Sequence, residues 1–449
     1  LLSRGLGDVY KRQDLDYAKD AQVLESELPA SFMRATPAGE PRVVLLTGAT
    51  GFLGAYVLAD LLDKRRNHVQ KVYVHVRAND AGSAQRRLRD ALAGRGLWRE
   101  AWEQEGRVQA VVGDLSKPHL GLNDEDWAHL AKEVDVIVHN GALVHWVYPY
   151  SKLRAANVLS TMAVMRLANE GRPKSVAFVS STSALDTEYY IRFSDTSAQG
   201  VLESDPLNGS ASDLKSGYGQ SKWVAERLLM AAASRGLAAV IIRPGYVVGD
   251  SKTAVTNTDD FLFRLIKGSA QLGLIPDMNN TINMVPVDHV ARVTSLAGLA
   301  ATQWPENRQT HAAVFHVTSH PTIRYNEFLG ALIEYGWNVR PAEYLEWRTA
   351  LENHVLASAA AGNTGLDADS NALFPLLHFV LDDLPTSTKS PELNDANTTK
   401  LLTEAHELDV VRGVDVPLVG LYLSWLVAVG FLPPPASKSA RTLPTLPEG

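Results

Sequence analysis

Short apolar runs alternate with segments of helical periodicity through the first half of the chain. Six runs are almost continuously apolar and rich in β-branched residues, at residues 43–46, 72–76, 108–112, 134–139, 175–179 and 239–242. Such runs are typical of strands buried on both faces, as in a parallel sheet covered by helices. Helix-length segments occupy the intervals, at residues 55–62, 84–92, 157–169 and 218–233. The alternation predicts an α/β protein with a Rossmann-type, doubly wound parallel sheet.

After residue 250 the pattern changes to helices and loops. Helical segments are predicted at residues 261–268, 287–300, 325–335 and 342–353, with a return to a strand near 314–318. We therefore expect a sheet domain over residues 41–250 and a smaller, mainly helical region over 251–432. Ligands of doubly wound folds lie outside the carboxyl ends of the strands, so we expect the helical region to pack there and shape the substrate site.

The two ends of the chain are expected to lie outside this core. Residues 1–13 carry basic side chains without the apolar run of a secretory signal, and we expect them to be foreign to the fold or disordered. Residues 1–40 as a whole are expected to be a linker, and the proline-rich residues 433–449 a flexible tail. The apolar run at 416–432 is interrupted by proline and glycine and predicts a buried core helix, not a membrane span.

Composition narrows the possible chemistry. Lys and Arg total 43 against 50 Asp and Glu in 449 residues, a formal net charge of −7, which disfavours a nucleic-acid partner because such proteins normally present a basic face. The sequence has no cysteine, which excludes disulfides, thiolate nucleophiles and cysteine-ligated metals. We expect a cytoplasmic, core-forming enzyme without a metal site or a membrane partner.

A glycine motif follows the first predicted strand and opens the first helix. Gly48 permits a sharp turn, Gly51 lets the backbone approach a pyrophosphate, and Gly54 allows the helix to pack closely on the strand. The N-terminus of that helix presents free N–H groups and a positive dipole end to phosphates. The motif predicts a dinucleotide site formed by Gly48, Thr50, Gly51, Phe52, Leu53 and Gly54.

The second strand ends at Arg77, where an NAD enzyme usually places an acidic residue. A guanidinium at this position matches a 2′-phosphate, so NADP(H) is favoured over NAD(H). Arg86 and Arg87 on the following helix could add positive charge, although an ordinary solvated helix face explains either of them equally well.

The ends of three further strands complete the predicted cofactor site. Asp114 and Leu115 follow the third strand and are expected beside the adenine, with a simple helix cap as the alternative interpretation of Asp114. Small residues after a strand let a cofactor lie against the backbone. On that basis we add Asn140, Gly141 and Ala142 after the fourth strand. Arg243, Pro244 and Gly245 end the sixth strand, where they are expected to pass beside the nicotinamide, and we include Pro244, Gly245 and Val247 in the predicted cofactor site.

Tyr218 and Lys222 are four residues apart at the start of a predicted helix, so both project from one face. A nearby ammonium lowers the pKa of a tyrosine toward working pH, which makes Tyr218 a usable general acid or base. The spacing alone is common and usually marks a surface pair. A run of hydroxyls at 180–183 supports the catalytic interpretation, because one of them, Thr182 first and Ser181 next, could share the substrate carbonyl oxygen with Tyr218. A loop that merely caps a helix is the alternative.

Together these motifs resemble the extended short-chain dehydrogenase/reductase family. More narrowly, residues 139–146, 257–262 and 279–290 resemble the terminal thioester reductase domains of nonribosomal peptide synthetases and carboxylic acid reductases. Among these, the chain is most similar to the C-terminal reductase domains of fungal-type L-2-aminoadipate reductases.

The resemblance implies a function. NADPH would deliver hydride to an acyl thioester held on the phosphopantetheine of a carrier domain, normally on the same longer polypeptide, with Thr182 and Tyr218 at the oxyanion and Lys222 at the nicotinamide ribose. The implied substrate is the L-2-aminoadipyl group, released as L-2-aminoadipate 6-semialdehyde in lysine biosynthesis. Three alternatives stay open: the release domain of another synthetase or carboxylic acid reductase, a reductase or epimerase of a free small molecule, and a silent NADP-binding regulator.

Overall fold

The computed structural model describes most of the chain, namely residues 15–35, 39, 41–145, 147–304, 312–360, 371–374, 380, 384–385, 388–408, 410–436 and 441–447. The strands in chain order are Arg42–Thr47 (β1), Val69–Val76 (β2), Val108–Val112 (β3), Val136–His139 (β4), Ser175–Val179 (β5), Ala239–Pro244 (β6), Tyr246–Val248 (β7), Leu274–Pro276 (β8), Thr281–Ile282 (β9), Met284–Pro286 (β10), Ala313–Val317 (β11), Ile323–Arg324 (β12) and Arg340–Ala342 (β13).

The helices surround these strands. In chain order they are Tyr17–Ser26 (α1), Phe52–Ala59 (α2), Ala81–Ala93 (α3), Glu100–Gln104 (α4), Asp124–Glu133 (α5), Tyr150–Arg154 (α6), Ser160–Ala168 (α7), Glu188–Thr196 (α8), Gly217–Ser234 (α9), Phe261–Leu272 (α10), Val287–Ala300 (α11), Tyr325–Glu334 (α12), Tyr344–Ala360 (α13), Ala396–Glu404 (α14) and Val416–Ala428 (α15). Short π-helical segments continue α2 at Asp60–Lys64 and join α6 to α7 at Ala155–Leu159.

A parallel sheet in the order β11-β6-β5-β4-β1-β2-β3 forms the centre of the molecule. Strands β2 and β3 lie on one side of β1, and β4, β5 and β6 follow in order on its other side. Strand β11 is the edge strand beside β6. The order therefore reverses between β1 and β4, the point at which doubly wound folds bind their ligands. The predicted fold class is confirmed.

Three apolar clusters account for the packing. One lies between the sheet and a layer that includes α5, α7 and α9, and the second lies on the opposite face beneath α2, α3 and α11. The third belongs to the C-terminal region and joins α10, α12, α13 and α15. The mainly helical character predicted for residues after 250 is confirmed, and short two-stranded pairs such as β7 with β10 connect that region to the sheet domain.

The N-terminal segment is not a free linker. Helix α1 packs against α9 with Tyr17 and Leu24 in the first cluster, because its apolar residues fall on one face. The buried carboxylate of Asp20 accepts hydrogen bonds from the Arg154 guanidinium at 2.7 and 2.9 Å. The expectation for residues 1–40 is thus corrected for residues 15–35, while that for residues 1–13 lies outside the described residues.

The C-terminal segment also packs. Leu443 and Leu446 contact the third cluster, and the Ser424 hydroxyl donates to the Pro444 carbonyl at 2.8 Å. The prediction of a flexible tail is therefore wrong for the described residues between 433 and 447, because two leucines between the prolines supply apolar contacts.

Helix α15 is the predicted core helix, with Tyr422 and Leu423 buried. Across the ranges given above, none of the helices has the length and apolar content needed to cross a bilayer.

Candidate active site

The turn between β1 and α2 lies directly against the end of β4. Gly48 has a φ of +77°, and a Cβ on it would approach the Gly141 Cα to 2.6 Å. A Cβ on Gly54 would lie 2.1 Å from the Gly48 carbonyl oxygen, so α2 can pack this closely only with glycine there. Gly51 caps α2 without a side-chain hydrogen bond, which leaves the N–H groups of the first turn directed at the space outside the sheet.

Thr47 connects the two strands at this switch point. Its hydroxyl accepts a hydrogen bond from the Gly141 N–H at 2.8 Å and lies 2.9 Å from His139 Nδ1. The Asn140 amide donates to the Gly48 carbonyl at 3.4 Å. The residues predicted after the first and fourth strands are therefore brought together around a backbone surface with little side-chain bulk.

The third strand contributes a tight turn. Asp114 Oδ1 accepts hydrogen bonds from the Ser116 N–H at 2.9 Å and its hydroxyl at 2.7 Å. Burial opposes ionisation of Asp114, but these hydrogen bonds, with Lys117 and Arg77, lower its pKa overall. The half-buried Leu115 lies under Gly141, since a Cβ on Gly141 would be 2.7 Å from Leu115 Cδ1. Asp114 therefore closes a turn with Ser116 and is not a helix cap, because the N-caps of the following 3₁₀ turn at Pro118–Gly121 and of α5 are Lys117 and Asn123.

Two of the predicted arginines meet at the end of β2. Arg77 is exposed there, and the Arg87 guanidinium donates to the Arg77 carbonyl at 2.6 Å. Arg86 is also exposed, on α3. The hydrogen bond places Arg87 beside Arg77 and gives this edge of the site two positive charges.

The first turn of α9 is inserted between two loops. A Cβ on Gly217 would lie 2.3 Å from the Tyr148 carbonyl oxygen, and one on Gly219 would lie 2.6 Å from the Ser183 carbonyl oxygen. The N-cap Ser216 accepts a hydrogen bond from the Gly219 N–H at 3.0 Å. Glycine on either side of Tyr218 thus lets the helix approach the hydroxyl turn at Thr182–Leu185.

Lys222 and Tyr218 lie on one face of α9, but their electrostatics differ from the prediction. Lys222 is 2% exposed, and its Nζ donates to the Val179 carbonyl at 2.7 Å while lying 5.7 Å from the centroid of the Tyr218 ring. Burial lowers the pKa of Lys222 to about 7, opposed by the negative charge of Glu226. Burial also raises the pKa of Tyr218 above its usual value. The predicted lowering of the tyrosine pKa by the ammonium is therefore wrong, and Tyr218 is a neutral phenol at working pH.

The hydroxyl-bearing residues at 180–183 differ in their contacts. Ser180 donates to the Glu226 carboxylate, and Ser181 caps the short 3₁₀ turn by accepting from the Ser183 N–H at 3.1 Å. Thr182 is the first residue of that turn and is partly exposed. Within the described residues its hydroxyl has no hydrogen-bond partner, which leaves it available to a substrate oxygen.

The sixth strand ends close to the C-terminal region. A Cβ on Gly245 would lie 2.4 Å from the Asn283 carbonyl oxygen, which accepts a hydrogen bond from the Tyr246 N–H at 2.8 Å. Val247 pairs with Val285 in the β7–β10 ladder. Pro244, Gly245 and Val247 therefore form the boundary between the sheet and the helical region.

Asn157 is a residue that the sequence analysis missed. Its side-chain amide exchanges two hydrogen bonds with the Leu143 backbone, at 2.7 and 3.0 Å, and donates to the Ser221 hydroxyl at 3.0 Å. It connects the loop after β4 to α9 one residue before Lys222. The sequence feature that could have identified Asn157 is a polar residue on a helical face that is otherwise apolar and buried.

The chain is similar in sequence to a known family and to two yeast enzymes. The family model described as male sterility protein, an NAD-binding domain, matches residues 46–294. L-2-aminoadipate reductase of Schizosaccharomyces pombe is 46% identical over 96% of this chain and 30% of its own length, and that of Saccharomyces cerevisiae is 47% identical over 98% and 32%. The chain thus spans about a third of the length of these relatives.

Solved structures are similar over nearly the whole chain. The terminal R domain of the myxalamid biosynthetic pathway superposes with a TM-score of 0.77 at 32% identity, covering 94% of this chain and 100% of that one. The reductase domain of a nonribosomal peptide synthetase from Mycobacterium tuberculosis has a TM-score of 0.68 at 25% identity, with 92% and 96% covered.

Proposed function

The chain belongs to the male sterility protein family of NAD-binding domains, and from this membership we propose that it is an NADPH-dependent reductase that releases a thioester-bound acyl group as an aldehyde. A nicotinamide cofactor follows from the family. One observation carries the proposal for the reaction. The glycine turn lies at the carboxyl ends of the strands, and the turn with Thr182 and the start of α9 with Tyr218 and Lys222 lie at the same end of the sheet, in a chain similar to reductases over nearly all its length.

The residues of the switch point fit a dinucleotide. Side chains are excluded from the contact between Gly48 and Gly141, and the first turn of α2 leaves its N–H groups for a pyrophosphate. Arg77 and Arg87 support the phosphorylated cofactor, because a guanidinium binds a 2′-phosphate through paired, charge-assisted hydrogen bonds. Asp114, Leu115 and the residues after β4 and β6 complete the proposed binding surface.

The mechanism assigns one task to each catalytic residue. When bound, NADPH supplies the hydride that the carbonyl carbon receives. Tyr218, a neutral phenol because burial raises its pKa, donates its proton to the carbonyl oxygen as negative charge develops there. Thr182 donates a hydrogen bond to the same oxygen, and Lys222 binds the ribose. The C–S bond of the resulting hemithioacetal then breaks, the sulfur takes a proton, and aldehyde and thiol leave.

We assign the acyl group from the two yeast relatives. Both yeast relatives are named for L-2-aminoadipate, so the proposed substrate is L-2-aminoadipyl thioester and the product L-2-aminoadipate 6-semialdehyde, an intermediate for lysine biosynthesis. The thiol is that of phosphopantetheine on a carrier domain, which we propose belongs to the same longer polypeptide. Since the chain has no cysteine, its own residues contribute no thiol to the reaction.

Oxidation of NADPH with L-2-aminoadipyl loaded on a phosphopantetheinylated carrier tests the function. We expect turnover with the loaded carrier, little turnover with NADH, and none with free L-2-aminoadipate. Activity on a free carbonyl compound together with no reaction on the loaded carrier would leave the fold unchanged and overturn the substrate.

A further inference from the structure

A third residue continues the line of Tyr218 and Lys222 along α9. Glu226 is four residues beyond Lys222, so all three side chains lie on one stripe of the helix. Tyr218 is partly exposed, Lys222 is 2% exposed and Glu226 is completely buried. The stripe therefore runs from the reacting end of the helix to a carboxylate inside the protein.

Arg243, at the end of β6, forms an ion pair with this carboxylate. The guanidinium, itself completely buried, donates from Nη2 to Glu226 Oε2 at 2.7 Å and from Nε to the same oxygen at 2.9 Å. A further guanidinium nitrogen lies 3.0 Å from His316 Nε2. Burial lowers the pKa of His316 to about 3, so this histidine is neutral and accepts the hydrogen bond. Glu226 is thus the anion that balances Arg243.

The same carboxylate also binds the strand that leads to the hydroxyl turn. Ser180, the residue after β5, donates its hydroxyl to Glu226 Oε1. Thr182 follows two residues later, and Pro244 directly follows Arg243. One carboxylate consequently joins α9 to the ends of β5 and β6, and the residues assigned above to the reaction or the cofactor lie on α9, directly after β5, and at the end of β6.

Stability alone does not explain such a pair. Removing two charges from water costs several kcal/mol per ion, and well-packed apolar residues of similar volume often stabilise a protein as much or more. Residues of the same two strands, such as Phe178 and Ile242, are buried and apolar. A buried ion pair next to a proposed catalytic helix is better explained by placement of the groups it contacts and by its field.

The field of Glu226 acts on Lys222. The other titratable groups that face the ammonium are His139 from β4 and Tyr218 on the same helix. Burial, helped by the charge of Lys222, lowers the pKa of His139 to about 3, and Tyr218 is a neutral phenol. Glu226 is therefore the negative charge that favours the protonated form of Lys222.

We propose that Glu226 is a positioning residue of the reductase site: its carboxylate fixes the hydroxyl turn and the end of β6 relative to α9, and it places a negative charge one helical turn beyond Lys222. The inference rests on the proposed function for the roles of Thr182 and Lys222. On this proposal, the position of Thr182 depends on Ser180 and Glu226, which are buried and to which we assign no contact with the substrate.

The substitutions Glu226→Gln and Ser180→Ala separate the two roles. Glu226→Gln removes the charge and keeps the shape, so we expect kcat to fall at least ten-fold and the alkaline limb of the pH profile to move to lower pH by half a unit or more. Ser180→Ala removes only the hydroxyl contact, and we expect a several-fold loss of kcat with an unshifted limb. Both are measured by NADPH oxidation with L-2-aminoadipyl-pantetheine, and cofactor binding by NADPH fluorescence.

Two controls keep the test decisive. Asp20→Asn breaks another buried carboxylate–arginine pair, Asp20 with Arg154, and should lower the melting temperature without moving the pH limb. If Glu226→Gln does not fold, the double variant Glu226→Leu with Arg243→Met replaces the pair by apolar residues, and we expect a folded protein that has lost at least ten-fold in kcat.

Wild-type kcat and pH profile in a folded variant would overturn the role of Glu226. Inactivity of the wild-type protein itself would instead contradict the proposed function.

Discussion

Gly48 and Gly141 meet backbone to backbone at the point where the strand order reverses, so closely that a single Cβ on Gly48 would lie 2.6 Å from the Gly141 Cα. Real Cβ atoms do not tolerate such a distance, and the two glycines lie just beyond Thr47 and His139, the last residues that pair β1 with β4. This contact therefore holds the surface on which the proposed cofactor lies.

Gly48→Ala should weaken NADPH binding strongly. The positive φ alone costs about 1–2 kcal/mol for a residue with a Cβ, and the contact with Gly141 adds displacement of the turn. We expect the dissociation constant measured by NADPH fluorescence to rise more than ten-fold. Gly96→Ala is the matched control, because Gly96 has a φ of +71° but nothing within 4 Å of an added Cβ. Equal losses in the two variants would mean that strain, not the contact, is responsible.

Tyr218→Phe should retain NADPH binding and lose most of the turnover. Loss of the proton donor and of one oxyanion hydrogen bond is expected to cost about 3–5 kcal/mol of transition-state stabilisation, or roughly 10²–10⁴ in kcat. Steady-state NADPH oxidation with the loaded carrier measures this. Tyr189→Phe removes a hydroxyl from an exposed tyrosine on α8 and should behave as wild type. Near-wild-type turnover of Tyr218→Phe would remove the phenol from the mechanism.

The sheet was predictable from sequence because its strands are buried on both faces and therefore read as continuous apolar runs. The turn at Gly48 was predictable for a similar reason, since a glycine is required by local backbone geometry that the neighbouring residues reveal. Strand ends were less well predicted: β2 begins at Val69, three residues before the predicted run at 72–76.

What could not be predicted depends on contacts between distant residues. Asn157 is recognisable only once Leu143 and Ser221 are placed beside it. The high pKa of Tyr218 reflects burial by elements remote in sequence, whereas the spacing to Lys222 suggested the opposite shift. Helix α1 was mistaken for a linker because its apolar residues are buried only by contact with α9, which is remote in sequence.

Arg77→Gln should change the preference between cofactors. Losing the paired, charge-assisted hydrogen bonds to the 2′-phosphate is expected to cost about 1.5–3 kcal/mol, which raises KM for NADPH about ten- to a hundred-fold and leaves KM for NADH nearly unchanged. Arg86→Gln, at an exposed position on α3, is the control for the loss of one positive charge. An unchanged ratio of kcat/KM for the two cofactors in Arg77→Gln would show that another group reads the phosphate.

The pH dependence of the protein should report Lys222. Burial lowers its pKa to about 7, so in the cofactor-free protein the ammonium is present below pH 7 and is lost as the pH rises through that value. NADPH binding should therefore weaken on the alkaline side, and Lys222→Met should remove this dependence.

The stability of the fold should change with pH in the opposite direction. An unfolded lysine has a pKa of about 10.4. Between about pH 7 and 10 the unfolded state therefore binds one more proton than the folded state, and folding becomes more favourable as the pH rises. Melting curves at pH 6.5 and 9 should show a smaller pH-dependent gain for Lys222→Met than for the wild type. An equal gain in both would mean that Lys222 does not titrate in this range.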